Sequence, residues 1–560
     1  MKSRSSLLLL ATTVLLFTSI GMGGDRPGSV DVYDIVLKGG TVIDGTGKPG
    51  YVADVGIRGD RIAVIGPITA KGKQTIDARG LVIAPGFIDM HNHSDMVRLG
   101  NGRGPSYSLQ GVTTEVFGED MSMGPLGGKR QSPDLPSGIK PDWKTLGEFL
   151  SRLEKQGSAA NFCSFVGSGT IRAVAVGYDN RPATSAELEE EKKLVREAMA
   201  EGAMGLSSGL SYAPNIYMST EELTALAREV GAAGGVYASH VRTINGQDPN
   251  AIREAIQIGE GAGVPVHLFH LNSVASTSAP EFLKIIHEAR QRGVRVTGDA
   301  YPYTWGITWL ASYLPAWAQA GGTEAMLARL RDPEQRKLIA HGFQNDPPYY
   351  ARIGWDNVRV GVDDPAINGK LVSEVAAIRH ISADDAYMDV VLEQHGKGIV
   401  IDKNNEEDTL QLVMREPYVA VGTDGWAVDL DDKNGFMAQL PHPRMLATFT
   451  KWLARYVREQ HLMSREEAVR RMTSLPASIL GLADRGILAE GKAADIVVFD
   501  PEKILDRATF PDPKHYSEGI LYLYVNGQAV VREGKITGAL PGRALRGPGY
   551  RAPARTAAGN

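Results

Sequence analysis

Two histidines, two residues apart, are the first residues that could do chemistry. The run Ala84-Pro85-Gly86-Phe87-Ile88-Asp89-Met90 reads as a buried strand, and it ends on His91-Asn92-His93. Side chains alternate along a strand, so His91 and His93 leave it on one face. Neutral imidazoles held side by side suit zinc. Two more histidines close apolar runs, Val236-Tyr237-Ala238-Ser239-His240 and Val264-Pro265-Val266-His267-Leu268-Phe269-His270. His267 and His270 are three apart and cannot share a strand face. His270 is terminal and is the better ligand, and His267 reads as a hydrogen-bonded interior residue. A last run, Val419-Ala420-Val421-Gly422-Thr423, ends on Asp424, a carboxylate able to bind metal and to accept a proton from water. Together these residues point to metal-assisted hydrolysis, in which a bound ion lowers the pKa of water from 15.7 to about 7.

The elements that must position them follow from the same runs. Eight apolar runs end near His91/His93, Glu119/Asp120, Gly167, Ser208, His240, His270, Asp299 and Asp424. Six of the eight therefore end in His, Asp or Glu, which random apolar strands would not do. Amphipathic stretches separate most of them, and several open with a capping box: Thr184…Glu187, Ser219…Glu222 and Ser464…Glu467. Alternating strands and helices predict an α/β protein, a (β/α)8 TIM barrel over residues 86–479, with its working residues at the C-terminal strand ends. The gap between Asp299 and Asp424 is too long for one βα connection and predicts an inserted subdomain or lid at about 309–400. Short strands with Gly and Asp turns occupy 33–85 and return over 480–543, so the two chain ends are expected to pair in a small β-sandwich. Residues 544–560, rich in Gly, Pro, Arg and Ala, are expected to form a flexible tail.

Composition narrows the function. A net charge of −5 over 560 residues, with no basic stripe, argues against nucleic acid as a partner. Lys2 and Arg4 precede an apolar run from Leu7 to Ile20 and then Gly21 and Gly23, so residues 1–23 read as a signal peptide. A periplasmic or secreted location is expected, with no stable membrane association after signal cleavage. The single cysteine, Cys163, lies in an apolar run and reads as a buried structural thiol rather than a nucleophile.

Several segments together resemble the amidohydrolase superfamily, and within it the N-acyl-D-amino-acid deacylases (D-aminoacylases). They are Gly86-Phe87-Ile88-Asp89-Met90-His91-Asn92-His93, Gly111-Val112-Thr113-Thr114, Tyr237-Ala238-Ser239-His240-Val241-Arg242, Asp299-Ala300-Tyr301-Pro302-Tyr303, Gly422-Thr423-Asp424-Gly425 and Pro441-His442-Pro443-Arg444. The likeness runs from about Asp34 to Arg543. It implies hydrolysis of the amide of a small-molecule N-acyl-D-amino acid. It implies a tight zinc (Zn2+) on residues matching His240 and His270, and a second, weaker metal position on His91, His93 and Asp424. Arg444 would hold the substrate carboxylate, Tyr301 would help bind substrate, and Asp424 would act as the catalytic base.

The chain departs from the family pattern at three places. Where many members carry a metal-binding cysteine after the second strand, this chain has Gly118-Glu119-Asp120-Met121. Register with that cysteine selects Asp120 as the metal ligand, while a one-residue shift at the strand end would bring in Glu119. A family lysine is replaced by Asn272, and an expected serine by Ile307 beside Thr308. Two other readings compete. A cyclic-amide hydrolase of dihydroorotase or hydantoinase type would need a carboxylated lysine ending the fourth strand, which here reads Ala203-Met204-Gly205-Leu206-Ser207-Ser208-Gly209. A non-catalytic ligand-binding relative would not need every candidate ligand that this chain keeps.

Overall fold

The computed structural model describes residues 33–130, 135, 139–242, 249–275, 279–345, 353–432 and 442–552. The leader expected at 1–23, Pro441 and residues 553–560 lie outside the described residues.

Eight parallel strands form the barrel: β1 Phe87–Asp89, β2 Val112–Phe117, β3 Asn161–Ser164 (continued by Val166–Gly167), β4 Gly205–Gly209, β5 Val236–His240, β6 Val266–Leu268, β7 Val296–Ala300 and β8 Val419–Val421. Each pairs with its sequence neighbour in parallel register. Hydrogen bonds from Met90 N–H to the Val421 carbonyl (3.3 Å) and from Asp424 N–H to the His91 carbonyl (2.8 Å) join β8 back to β1 and close the ring. Of the three predicted capping boxes, Thr184…Glu187 forms in full, while Ser219 and Ser464 cap their helices from the hydroxyl side alone. The Glu187, Glu222 and Glu467 amides donate to the Thr184, Ser219 and Ser464 hydroxyls, starting helices Ser185–Ala200, Thr220–Ala232 and Arg465–Met472.

The two chain ends pair in one nine-stranded sheet. Its join is the antiparallel pairing of Val82–Pro85 with Ile496–Phe499, and an Arg61–Ala493 bridge folds the sheet over its own apolar core. The insertion is wider than the expected 309–400. Its three-stranded antiparallel sheet runs Trp305–Trp309, Val358–Gly361 and Ile399–Lys403. Trp305 pairs with Lys403 and Trp309 with Ile399, so the expected edges fall inside paired strands, and the base closes at Thr304, whose carbonyl accepts from Asn404 N–H. The insertion carries its own buried cluster, including Leu310, Tyr313, Val360 and Tyr387.

The tail is a correction. Residues up to Arg551 lie along the barrel's N-terminal end, where the Leu545, Gly547 and Arg551 amides donate to the Phe162, Gly202 and Ala200 carbonyls. Its glycines serve close approach rather than freedom. A Cβ at Gly547 would stand 2.1 Å from the Ala203 carbonyl oxygen.

Candidate metal centre

The barrel's C-terminal mouth opens into a cavity of ≈ 600 Å³, whose lining includes His93, Glu119, His240, His270 and Asp424. The strand ends deliver these groups. His91 and His93 leave β1 together, and their rings lie 5.3 Å apart. His240 is the last residue of β5. His270 and Asp424 lie beyond their strands with φ of 35° and 48°, left-handed values uncommon for residues other than glycine.

Two groups of ligand atoms result, each within 4.8 Å: His91, His93, Glu119 and Asp424, then Glu119, His240 and His270. Glu119 is common to both. Its Oε2 lies 2.5 Å from His91 Nε2 and 3.1 Å from His93 Nε2. Its Oε1 lies 3.3 Å from His240 Nδ1 and 3.6 Å from His270 Nε2. Asp424 Oδ1 lies 3.1 Å from His93 Nε2.

The choice of Asp120 over Glu119 is therefore corrected. Asp120 turns with φ 58°, out of strand alternation, and accepts a hydrogen bond from Asn215 instead of joining either group. The electrostatics agree. Burial, then the adjacent Glu119 charge, pushes the Asp120 carboxyl well above the usual range. Burial also opposes the Glu119 charge, yet His91 first, then His240 and His270, hold it well below that range.

These residues fit a divalent cation. His240 Nδ1 and His270 Nε2 face each other at 2.8 Å, and Glu119 Oε1 beside them is buried with no hydrogen-bond partner. The field in the other group favours positive charge. Burial opposes protonation of His91 and His93, but the surrounding carboxylates raise His91 well above the imidazole range and His93 to about 9. Imidazole nitrogen and carboxylate oxygen are donors suited to zinc.

Residues beneath the cluster hold it in place. Asp299, one residue before the end of β7, accepts from His270 N–H at 2.9 Å and lies 2.9 Å from His267 Nε2 and 3.5 Å from His91 Nδ1. His267 is fully buried between Asp299 and Thr297, as an interior residue. Asp89 accepts from both the Thr423 amide (2.8 Å) and its hydroxyl (2.7 Å), tying the β1 histidines to the Asp424 turn. Neither acid was expected in the site. Their signal was available, since Asp299 stands one residue before a strand end and Asp89 stands two residues before His91.

Arg444 starts helix Arg444–Lys451. It is 1 % exposed, its Nη1 donates to Asp424 Oδ2 at 2.9 Å, and its guanidinium lies 4.8 Å from the Tyr301 ring centroid. Tyr301 lines the cavity and Arg444 lies behind it. The guanidinium's Nε is buried without a partner. Asn272 is fully buried, its Oδ1 accepting from the Tyr301 amide. Tyr212 and Thr308 share a hydrogen bond of 3.0 Å across the cavity wall.

Comparison with known proteins places this geometry. The model of the Amidohydrolase family matches residues 74–531. D-aminoacylase from Alcaligenes xylosoxydans xylosoxydans is 34 % identical over 523 residues, covering 92 % of this chain and 97 % of that protein. A crystal structure of D-aminoacylase superposes with a TM-score of 0.75 at 32 % identity, over 92 % of this chain and all (100 %) of that one. N-acyl-D-glutamate deacylase from Bordetella bronchiseptica, solved with zinc and a phosphonate inhibitor, gives a TM-score of 0.75 at 29 % identity, over 92 % and 100 % of the two chains. D-hydantoinase, at 16 % identity and a TM-score of 0.51, shares the fold.

Proposed function

This chain belongs to the amidohydrolase family, and on that footing we propose that it hydrolyses the linear amide of N-acyl-D-amino acids with zinc in the site. The observation that carries the reading is Glu119 at 2.5–3.6 Å from four imidazoles, completing two ligand groups at once. His240 and His270 with Glu119 would hold one ion, and His91, His93, Asp424 and Glu119 a second, weaker one. Such an ion supplies Lewis acidity and brings the pKa of water to about 7.

The chain's own residues do the rest. Arg444 and His93 fix the two oxygens of Asp424, so its carboxylate stands in one orientation at the mouth. From there Asp424 accepts a proton from the attacking water as the new C–O bond forms. It returns that proton to the departing nitrogen as the C–N bond breaks, which yields a carboxylate and a free amino acid. Tyr301 forms the cavity wall and would help bind substrate, and Arg444, buried behind it and bonded to Asp424, is the guanidinium that would hold the substrate carboxylate. Residues 1–23 would export the protein to the periplasm or beyond.

The test is a hydrolysis screen of paired N-acyl-D- and N-acyl-L-amino acids, with metal content measured on the same protein. Turnover of the D series with bound zinc is expected. Cleavage of cyclic amides alone would overturn the reading.

A further inference from the structure

The insertion contributes a polar wall to the cavity that the reaction above does not use. Asp402 and Asn404 stand two apart at the end of strand Ile399–Lys403 and both line the cavity. Asp402 is 2 % exposed and Asn404 8 %. Asp402 Oδ2 and Asn404 Oδ1 are buried with no hydrogen-bond partner. The Asn404 amide is oriented by its Nδ2, which donates to Ser273 Oγ at 3.2 Å.

Opposite them the facing strand has lost its side chain. Gly306 pairs with Asp402 across the sheet, and a Cβ there would stand 2.3 Å from Asn404 Nδ2 and 2.9 Å from Asp402 Oδ1. Gly306 thus leaves room for these two polar groups at the wall. Burial pushes the Asp402 carboxyl up to about 6, while a hydrogen bond from the Tyr313 phenol and the Arg444 charge offset part of that rise. An amide oxygen without a donor, beside a buried carboxyl that keeps one oxygen unpaired although the Tyr313 phenol serves the group, is costly unless something donates to it.

We infer that Asp402 and Asn404 select substrates bearing a hydrogen-bond-donating arm, an amine above all, and disfavour a terminal carboxylate. The inference rests on the deacylase reading. The arm could belong to the amino-acid side chain or to the acyl group, and the substrates chosen separate the two.

The experiment compares kcat/KM for N-acetyl-D-lysine, N-acetyl-D-glutamine, N-acetyl-D-leucine, N-acetyl-D-glutamate and N-glycyl-D-leucine. A donor in the side chain predicts that the lysine substrate exceeds the leucine one by about tenfold or more, the scale of one charged hydrogen bond. A donor in the acyl group predicts the same excess of N-glycyl-D-leucine over N-acetyl-D-leucine. In either case Asp402→Asn and Asn404→Ala should shrink the excess ratio. If neither donor arm is preferred, or if the ratio survives both substitutions, the inference fails. Should a variant not fold, the wild-type substrate order decides alone. If no N-acyl-D-amino acid is cleaved, the deacylase reading falls separately, and the wall is read by ligand-induced thermal shift. D-lysine should then raise Tm more than D-norleucine, its isostere without the amine, and equal shifts would overturn the inference.

Discussion

Replacing Glu119 and Asp120 one at a time by their amides tests which of two adjacent carboxyls serves the metal groups. Glu119→Gln removes a charge that faces four imidazoles, while Asp120→Asn alters an acid that joins neither group and whose charged form burial and Glu119 disfavour. A unit charge about 3.3 Å from a cation is worth about 5 kcal/mol at an effective dielectric of about 20. At about 1.4 kcal/mol per decade that is more than 10³-fold in affinity for a cation. The glutamine oxygen recovers part of it by donating a lone pair, so a loss of about 10²-fold or more is the expected floor. Zinc content after dialysis against a weak chelator and turnover of an N-acyl-D-amino acid are the two readouts. Glu119→Gln should lose both together. Asp120→Asn should keep its zinc, with any loss confined to stability through the Asn215 contact. If Asp120→Asn strips the metal while Glu119→Gln retains it, the assignment of charge at this turn is wrong.

Three further outcomes are expected. Asp424→Asn should fold and keep metal on His240, His270 and Glu119, but its turnover should fall by about 10² or more, the scale of a lost general base; near-normal kcat would remove Asp424 from proton transfer. Glu191, on helix Ser185–Ala200, is raised by burial and by Glu222 to about 8 from an ordinary 4.5. Between those values the folded protein holds a proton, shared with Glu222, that the unfolded chain has released, so stability falls as pH rises through that window. Comparing Tm at pH 5 and pH 8.5, Glu191→Gln should flatten the fall seen in the wild type, and an unchanged slope would show that Glu191 does not carry it. Cys163 is fully buried, with its thiol pushed up to about 12 by that burial, so a thiol reagent at pH 8 should label it only after denaturation; rapid labelling of native protein would contradict the packing.

The barrel was legible because the signals were of period two and ended in chemistry. His91, His93, His240 and Asp424 terminate apolar runs; His240 ends its strand, and the other three follow theirs within four residues. The Glu119–Asp120 choice was not legible, because it depends on a turn. Alternation predicts that only one of them faces inward, and the φ of 58° at Asp120 breaks alternation just where it was needed. The tail failed for a different reason. Composition cannot distinguish a glycine used for mobility from one used to let two backbones touch, and Gly547 is of the second kind. Arg444 was legible as a residue but not as a geometry: its bond to Asp424 couples two elements twenty residues apart in the chain.

The strained turns explain why the closing seam of the barrel and the metal site are one structure. His270 and Asp424 hold left-handed φ at strand ends, at a cost of about 1–3 kcal/mol each. Such conformations persist only where surrounding bonds leave no alternative. For Asp424 those bonds are its own amide on the His91 carbonyl, Arg444 on its carboxylate, and Asp89 gripping Thr423 from β1. For His270 the bond is Asp299 on its amide. The hydrogen bonds that join β8 to β1 are thus the same ones that aim Asp424 toward His93. A loosened seam would reach the site before it reached the core, because Asp424 has no strand of its own to hold it beyond Val421.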